Sequence, residues 1–275
     1  MASLVEPTRS LSTVIDYPKL FCFGDSLTQR CFNVTDGCWG SIVAARYQRQ
    51  VDLLNRGFNG YTSRQAIYML PRLLPAYARR NLPDANSVAF SPNDSDSAPE
   101  SSIAALLIWF GANDACTPDS DVHVPVEEYE KNLNLLIDHA AAYGIPTSRM
   151  VLVTAPEYDH AKWTAFKARD GVPAHLIGRA EGRSKAYAEK CVEVAKKRGT
   201  RLADVYAAMT TNPDWRSLMV DGLHFNVSGA YFVAEILTKI LDPLVAHLPT
   251  VFPLSVDVNR ANPEEELTNW TPPSL

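Results

Sequence analysis

The run IAALLIWF at Ile103–Phe110 constrains the fold more than any other part of the chain, because eight apolar residues follow one another without a polar partner. A strand with one wet face alternates apolar and polar residues, so an unbroken run belongs to a strand covered on both sides, as in a parallel sheet between helical layers. The run is the richest apolar stretch in the sequence. It falls well short of the roughly 20 residues needed to cross a bilayer, so no membrane span is expected.

Short β-rich runs at 20–23, 51–55, 150–154 and 201–205 flank it in the sequence. Between them lie segments of helical character at 41–50, 63–80, 126–143, 179–198 and 228–247. In the third of these, Tyr129, Leu133, Leu136, Ile137 and Ala140 recur at helical spacing, and Gly144 with Pro146 supplies the stop. Pro71 and Pro75 are expected to kink or split the second. This order predicts an α/β fold, a three-layer α/β/α sandwich around a central, mostly parallel sheet.

With 275 residues, 46% of them hydrophobic, the chain can bury an ordinary core without disulfides or a structural metal. One domain over 1–275 is the economical organisation. Residues 84–102 are rich in Ser, Pro, Asn and Asp and read as a mobile insertion. Residues 249–275 read as an irregular tail, and the first residues as a frayed arm without a signal peptide. The long segment 155–178 reads either as a wall over a site or as a packed surface loop.

A formal charge of -5, spread along the chain, argues against the basic face that a duplex-binding protein needs. Five scattered cysteines without a CxxC pair favour reduced thiols and a cytoplasmic location, where the four N-x-S/T sequons carry no meaning. The Lys and Arg content of 179–198 reads as a solvated outer face. No HExxH, P-loop or GxGxxG occurs, and Asp119, Asp121 and His123 read as a solvated turn, so neither metal nor cofactor is expected.

Acyl transfer to water needs a nucleophile, a base, a group that orients the base, and donors for the oxyanion. Ser26 in FCFGDSLTQ follows the first strand, at the sheet edge where open α/β folds place their sites. Taken alone, a Gly-Asp-Ser turn reads more readily as a helix cap. The G-x-S-x-G elbow is absent, since Thr28 stands in the second Gly position, which disfavours an ordinary α/β-hydrolase. In MVDGLHFNVSG, Asp221 lies three residues before His224, close enough to hold the ring in one tautomer with Nε2 free for a nucleophile, though taken alone the pair reads more readily as a loop Asp and a satisfied His. Asn113, after the central strand, offers a neutral carboxamide donor, and Gly60, after the second strand, a backbone N–H without a side chain in the way.

Four collinear segments, GDSLT at 24–28, NRGFNGYTSR at 55–64, FGANDA at 110–115 and DGLHFN at 221–226, together resemble the four blocks of the GDSL, or SGNH, hydrolase family. The wording FGANDAC and DGLHF is similar to its isoamyl acetate-hydrolysing esterase branch. The resemblance implies Ser26 as nucleophile, His224 as base and Asp221 as its orienting carboxylate. It implies an oxyanion hole from the Ser26 and Gly60 N–H groups and the Asn113 side chain.

The expected reaction is hydrolysis of short-chain, acetate-type esters through an acyl-enzyme. A carbohydrate O-deacetylase, an acyl thioesterase and a non-catalytic acyl-ligand-binding member are the alternatives. Cys116, Trp163 and Phe225 are nominated as substrate-binding residues. The expected partner is a small-molecule ester rather than nucleic acid or membrane, and a homodimer is compatible with the sequence.

Overall fold

The computed structural model describes residues 17–79 and 100–268. Its strands are β1 (Lys19–Gly24), β2 (Asp52–Gly57), β3 (Ala78–Arg79), β4 (Glu100–Ser101), β5 (Ile103–Trp109), β6 (Met150–Val153) and β7 (Arg201–Ala203). The α-helices are α1 (Ser26–Gln29), α2 (Trp39–Arg46), α3 (Ser63–Leu73), α4 (Val126–Ala142), α5 (His160–Arg169), α6 (Arg183–Arg198), α7 (Val205–Thr210), α8 (Val227–Val245) and α9 (Pro263–Thr268). Five strands form one all-parallel sheet in the order β2-β1-β5-β6-β7, and β3 pairs antiparallel with β4. The predicted α/β architecture is the observed one.

Alternate residues of the central strands feed two cores. Leu20 and Cys22 of β1 and Leu107 and Trp109 of β5 join Val43 and Tyr47 near α2 and Val233, Leu237 and Leu241 of α8 on one face. Phe21, Phe23, Leu106 and Ile108 join Leu70 of α3, Leu133 and Ile137 of α4 and Cys191 of α6 on the other. Seven consecutive buried residues in β5 are therefore what a strand between two helical layers requires. No helix among the described residues is long and apolar enough to cross a membrane.

Several boundaries differ from the sequence reading. The second predicted helix ends at Leu73 and passes into a 3-10 turn at Leu74–Tyr77, consistent with its two prolines. Of the expected insertion, residues 84–99 lie outside the described residues. Residues 100–102 instead belong to the body: Ser102 is buried, donates its N–H to Tyr77 O at 3.0 Å, and accepts from Lys19 N at 2.8 Å. Polar composition misled there because Ser side chains satisfy backbone groups as readily as solvent does.

Segment 155–178 is not a loop throughout, since it contains α5, begun by Asp159 accepting from Lys162 N at 3.1 Å. The tail is anchored as far as it is described: Val251 is buried, and Arg49 donates to the Phe252 carbonyl at 2.6 Å. The N-terminal arm and residues 269–275 lie outside the described residues.

The chain leaves β1 for β2 on one side and returns to β5 on the other, so the turns after β1 and β5 diverge and open a crevice at the carboxyl edge. One wall of this edge depends on Gly57. A Cβ there would lie 1.9 Å from Gln29 N and 2.3 Å from its Cα, and backbone cannot yield as a side-chain tip can. Gly57→Ala is expected to cost about 1–3 kcal/mol in urea unfolding by forcing α1 away from β2. An unchanged midpoint would mean that this contact does not hold α1 in place.

Candidate active site

At the end of β1, Asp25 accepts the Leu27 N–H at 2.9 Å and caps α1, which starts at Ser26. The first N–H groups of a helix have no intrahelical partner, so Ser26 presents both a hydroxyl and a backbone donor at the sheet edge. After β2, Gly60 adopts φ +80, a left-handed conformation that side chains other than glycine's resist. Open space surrounds the position of its missing Cβ, so backbone conformation rather than crowding calls for glycine.

The turn after β5 is tied to the turn after β2 by two adjacent residues. Asn113 Nδ2 donates to Tyr61 O at 2.9 Å, and Asp114 accepts the Ser63 N–H at 3.0 Å and the Ser63 hydroxyl. Asn132 of α4 donates to the same hydroxyl at 2.9 Å, fixing it from below. Asp221 and His224 occupy a tight loop closed by an antiparallel bridge between Met219 and Phe225. Asn226 ends that loop and caps α8 by accepting from Gly229 N at 3.0 Å.

These turns bring together residues 198 positions apart in the chain. His224 Nε2 lies 2.9 Å from Ser26 Oγ, and His224 Nδ1 lies 2.6 Å from Asp221 Oδ2. The other Asp221 oxygen accepts the Leu223 and His224 N–H groups at 2.9 and 2.8 Å, and Arg30 lies 4.0 Å from the carboxylate. All three side chains are buried. Such a chain can move a proton from the hydroxyl to the ring while the carboxylate stabilises the imidazolium.

The carboxylates at this edge differ in environment. Burial alone would raise Asp221, but the His224 ring and two backbone donors outweigh it and hold the group below the usual carboxylate range. Asp25 goes the other way: burial, only partly opposed by the Leu27 N–H, and the charge of Asp114 push it up to about 7. Its Oδ2 has no hydrogen-bond partner among the described residues. Asp114 is likewise raised by burial, to about 6, against the hydrogen bonds from Ser63.

Among the nominated substrate-binding residues, Trp163 is half-buried with its ring 6.0 Å from that of His224, and Phe166 stacks on it at 5.6 Å. Phe225 borders a small cleft with Leu27, Arg30, Gly37, Trp39 and His224, and packs on Trp109 at 6.2 Å. Cys116 is buried under the Asn113 turn, its N–H donated to Asn113 O at 3.0 Å.

Sequence reasoning missed Arg179, which was grouped with a solvated helix face. It precedes α6 and points inward, donating to Ala112 O and, at 2.6 Å, to Asn113 Oδ1. Arg183 also turns inward and donates to Ala115 O at 3.0 Å. No periodicity marks either residue, because their acceptors lie 66 to 68 residues upstream.

The sequence pattern of the GDSL-like lipase/acylhydrolase family matches residues 22–231, and the chain belongs to that family. It is a carboxylic ester hydrolase. It is 34% identical over 268 residues to the isoamyl acetate-hydrolyzing esterase 1 homolog of Mus musculus, covering 96% of this chain and 97% of the relative. A GDSL esterase/lipase of Arabidopsis thaliana is 30% identical, with 90% of this chain and 96% of the relative covered. The lipase/acylhydrolase from Enterococcus faecalis shares the fold at a TM-score of 0.58 and 22% identity, over 82% of this chain and 96% of that one.

A carboxyl whose native pKa is raised holds a proton in the folded state that the unfolded state releases. Its stabilisation is therefore complete below the ordinary carboxylate range and is lost as pH rises through about 7 at Asp25. Urea unfolding across this window should show wild type losing stability relative to Asp25→Asn, which cannot ionise. Parallel pH profiles of the two proteins would place the Asp25 titration elsewhere.

Proposed function

We propose that the chain is a serine esterase for short-chain, acetate-type esters, acting through Ser26, His224 and Asp221. The observation that carries this reading is the continuous hydrogen-bond chain from Ser26 Oγ to His224 Nε2 at 2.9 Å and from His224 Nδ1 to Asp221 at 2.6 Å. Ser26 Oγ attacks the ester carbonyl carbon while His224 Nε2 takes its proton, and the Asp221 carboxylate stabilises the resulting imidazolium. The carbonyl oxygen becomes an oxyanion held by the Ser26 and Gly60 N–H groups and the Asn113 amide. Collapse expels the alcohol, which takes the proton from His224. Water then adds to the acyl-enzyme with the same base, and the carboxylic acid leaves.

The acetate preference rests on the relatives: the mammalian ones are named isoamyl acetate-hydrolyzing esterase homologs. The reading further takes residues 1–275 as one domain, because Ser26 and His224 come from opposite ends of the chain. It places the enzyme in the cytoplasm on the strength of five cysteines without a disulfide. Trp163, half-buried beside His224, is assigned to the apolar wall of the substrate site, with Phe225 and Cys116 behind the reacting centre.

A p-nitrophenyl ester series from acetate to palmitate tests both parts. Turnover should be greatest on acetate, and Ser26→Ala should lose roughly 10⁴–10⁶-fold. Asn113→Ala, with its fold intact, should lose on the order of 10²–10³-fold in turnover. A long-chain preference would remove the acetate assignment, and activity surviving in Ser26→Ala would remove the serine mechanism.

A further inference from the structure

We propose that Arg179 is a positioning residue that sets which end of the Asn113 amide faces the substrate. The inference rests on the reading of Asn113 as an oxyanion donor and adds what makes it one. A primary amide has two ends of nearly equal size, one a donor and the other an acceptor. Only one orientation of Asn113 can stabilise an oxyanion; the reverse would aim a carbonyl oxygen at developing negative charge.

Two contacts decide between them. Asn113 Oδ1 accepts from an Arg179 nitrogen at 2.6 Å, a charge-assisted hydrogen bond, and Nδ2 donates one of its hydrogens to Tyr61 O at 2.9 Å. The second Nδ2 hydrogen remains for the oxyanion. A flip would set NH₂ against the guanidinium, donor on donor, and oxygen against the Tyr61 carbonyl, acceptor on acceptor. Both contacts therefore favour the same orientation, and only Arg179 brings a full charge.

The guanidinium is itself held in place. Its other arm donates to Ala112 O, its face lies over the Trp163 ring at 5.8 Å, and the preceding residue, Gly178, accepts from Thr117 N at 2.8 Å. Trp163 in turn stands 6.0 Å from the His224 ring. One cation thus connects the Asn113 turn with the aromatic wall beside the base. Its charge also polarises the amide, making the remaining N–H a stronger donor when the oxyanion forms.

A double-mutant cycle on p-nitrophenyl acetate separates this role from simple support of the turn through Ala112. Arg179→Ala should lower kcat about 10- to 100-fold with KM little changed, less than the full loss expected on deleting the donor. In an Asn113→Ala background the same change should cost under about 3-fold, because the group through which it acts is gone. Equal losses in both backgrounds, or an unaffected kcat in the single variant, would overturn the proposal. Wild-type turnover by Asn113→Ala alone would instead overturn the oxyanion reading. Should Arg179→Ala fail to fold by circular dichroism, Arg179→Lys supplies the same cycle, since an ammonium cannot span both acceptors as the guanidinium fork does.

Discussion

The pairing of β1 with β5 is the constraint on which the site depends. Parallel register sets Gly24 opposite Trp109, and Asp25 N donates to Trp109 O at 3.2 Å, so the turns bearing Ser26 and Asn113 leave the sheet side by side. Glycine at position 24 is part of this closeness, since a Cβ there would lie 2.5 Å from the Trp109 carbonyl oxygen. The β2 turn then attaches to the β5 turn through Tyr61 and Ser63. Three strand ends thus set Ser26, Gly60 and Asn113 on one side of the edge before the His224 loop contributes to it. That loop arrives from beyond β7 and is fixed by its own bridge at Met219 and Phe225 and by the Asn226 cap of α8.

Burial at this edge acts on each carboxyl according to its donors. Asp221 receives two backbone N–H groups and the His224 ring, enough to keep a charge stable where desolvation opposes it. Asp25 receives the Leu27 N–H on one oxygen, while the other lacks a partner among the described residues, and desolvation prevails. The two groups are chemically identical and lie at the same sheet edge, yet Asp221 is held as an anion, the state the proposed mechanism needs. Asp25 is shifted toward its neutral form beside Ser26, where, in the proposed mechanism, a second full negative charge would oppose the oxyanion.

The sequence carried most of this arrangement. Unalternated IAALLIWF pointed to a strand covered on both faces, and the motifs placed Ser26, Gly60, Asn113, Asp221 and His224 at strand ends and loops, where the structure has them. Local signals also located Asp221 correctly relative to His224, because three residues suffice for the carboxylate to reach Nδ1. Elements whose character depends on partners distant in the chain were harder to read. Ser101 and Ser102 read as insertion because their partner, the Tyr77 carbonyl, lies 24 and 25 residues earlier in the chain, and α5 was obscured by an irregular apolar pattern. Arg179 was illegible for the same reason, since its acceptors are set by the turn after β5 and leave no trace in the spacing of its neighbours.

The choice of a neutral donor backed by a cation follows from what the proposed reaction must bind and release. A lysine or arginine aimed directly at the carbonyl oxygen would stabilise the oxyanion, but it would also hold the carboxylate product that appears at the end of each cycle. An amide binds a transient oxyanion well and a departing carboxylate weakly, because its partial charge is small until a full negative charge comes close. In the proposed mechanism, setting the Arg179 guanidinium behind Asn113 rather than in front of it would raise the donor strength of the amide while keeping that full positive charge off the product.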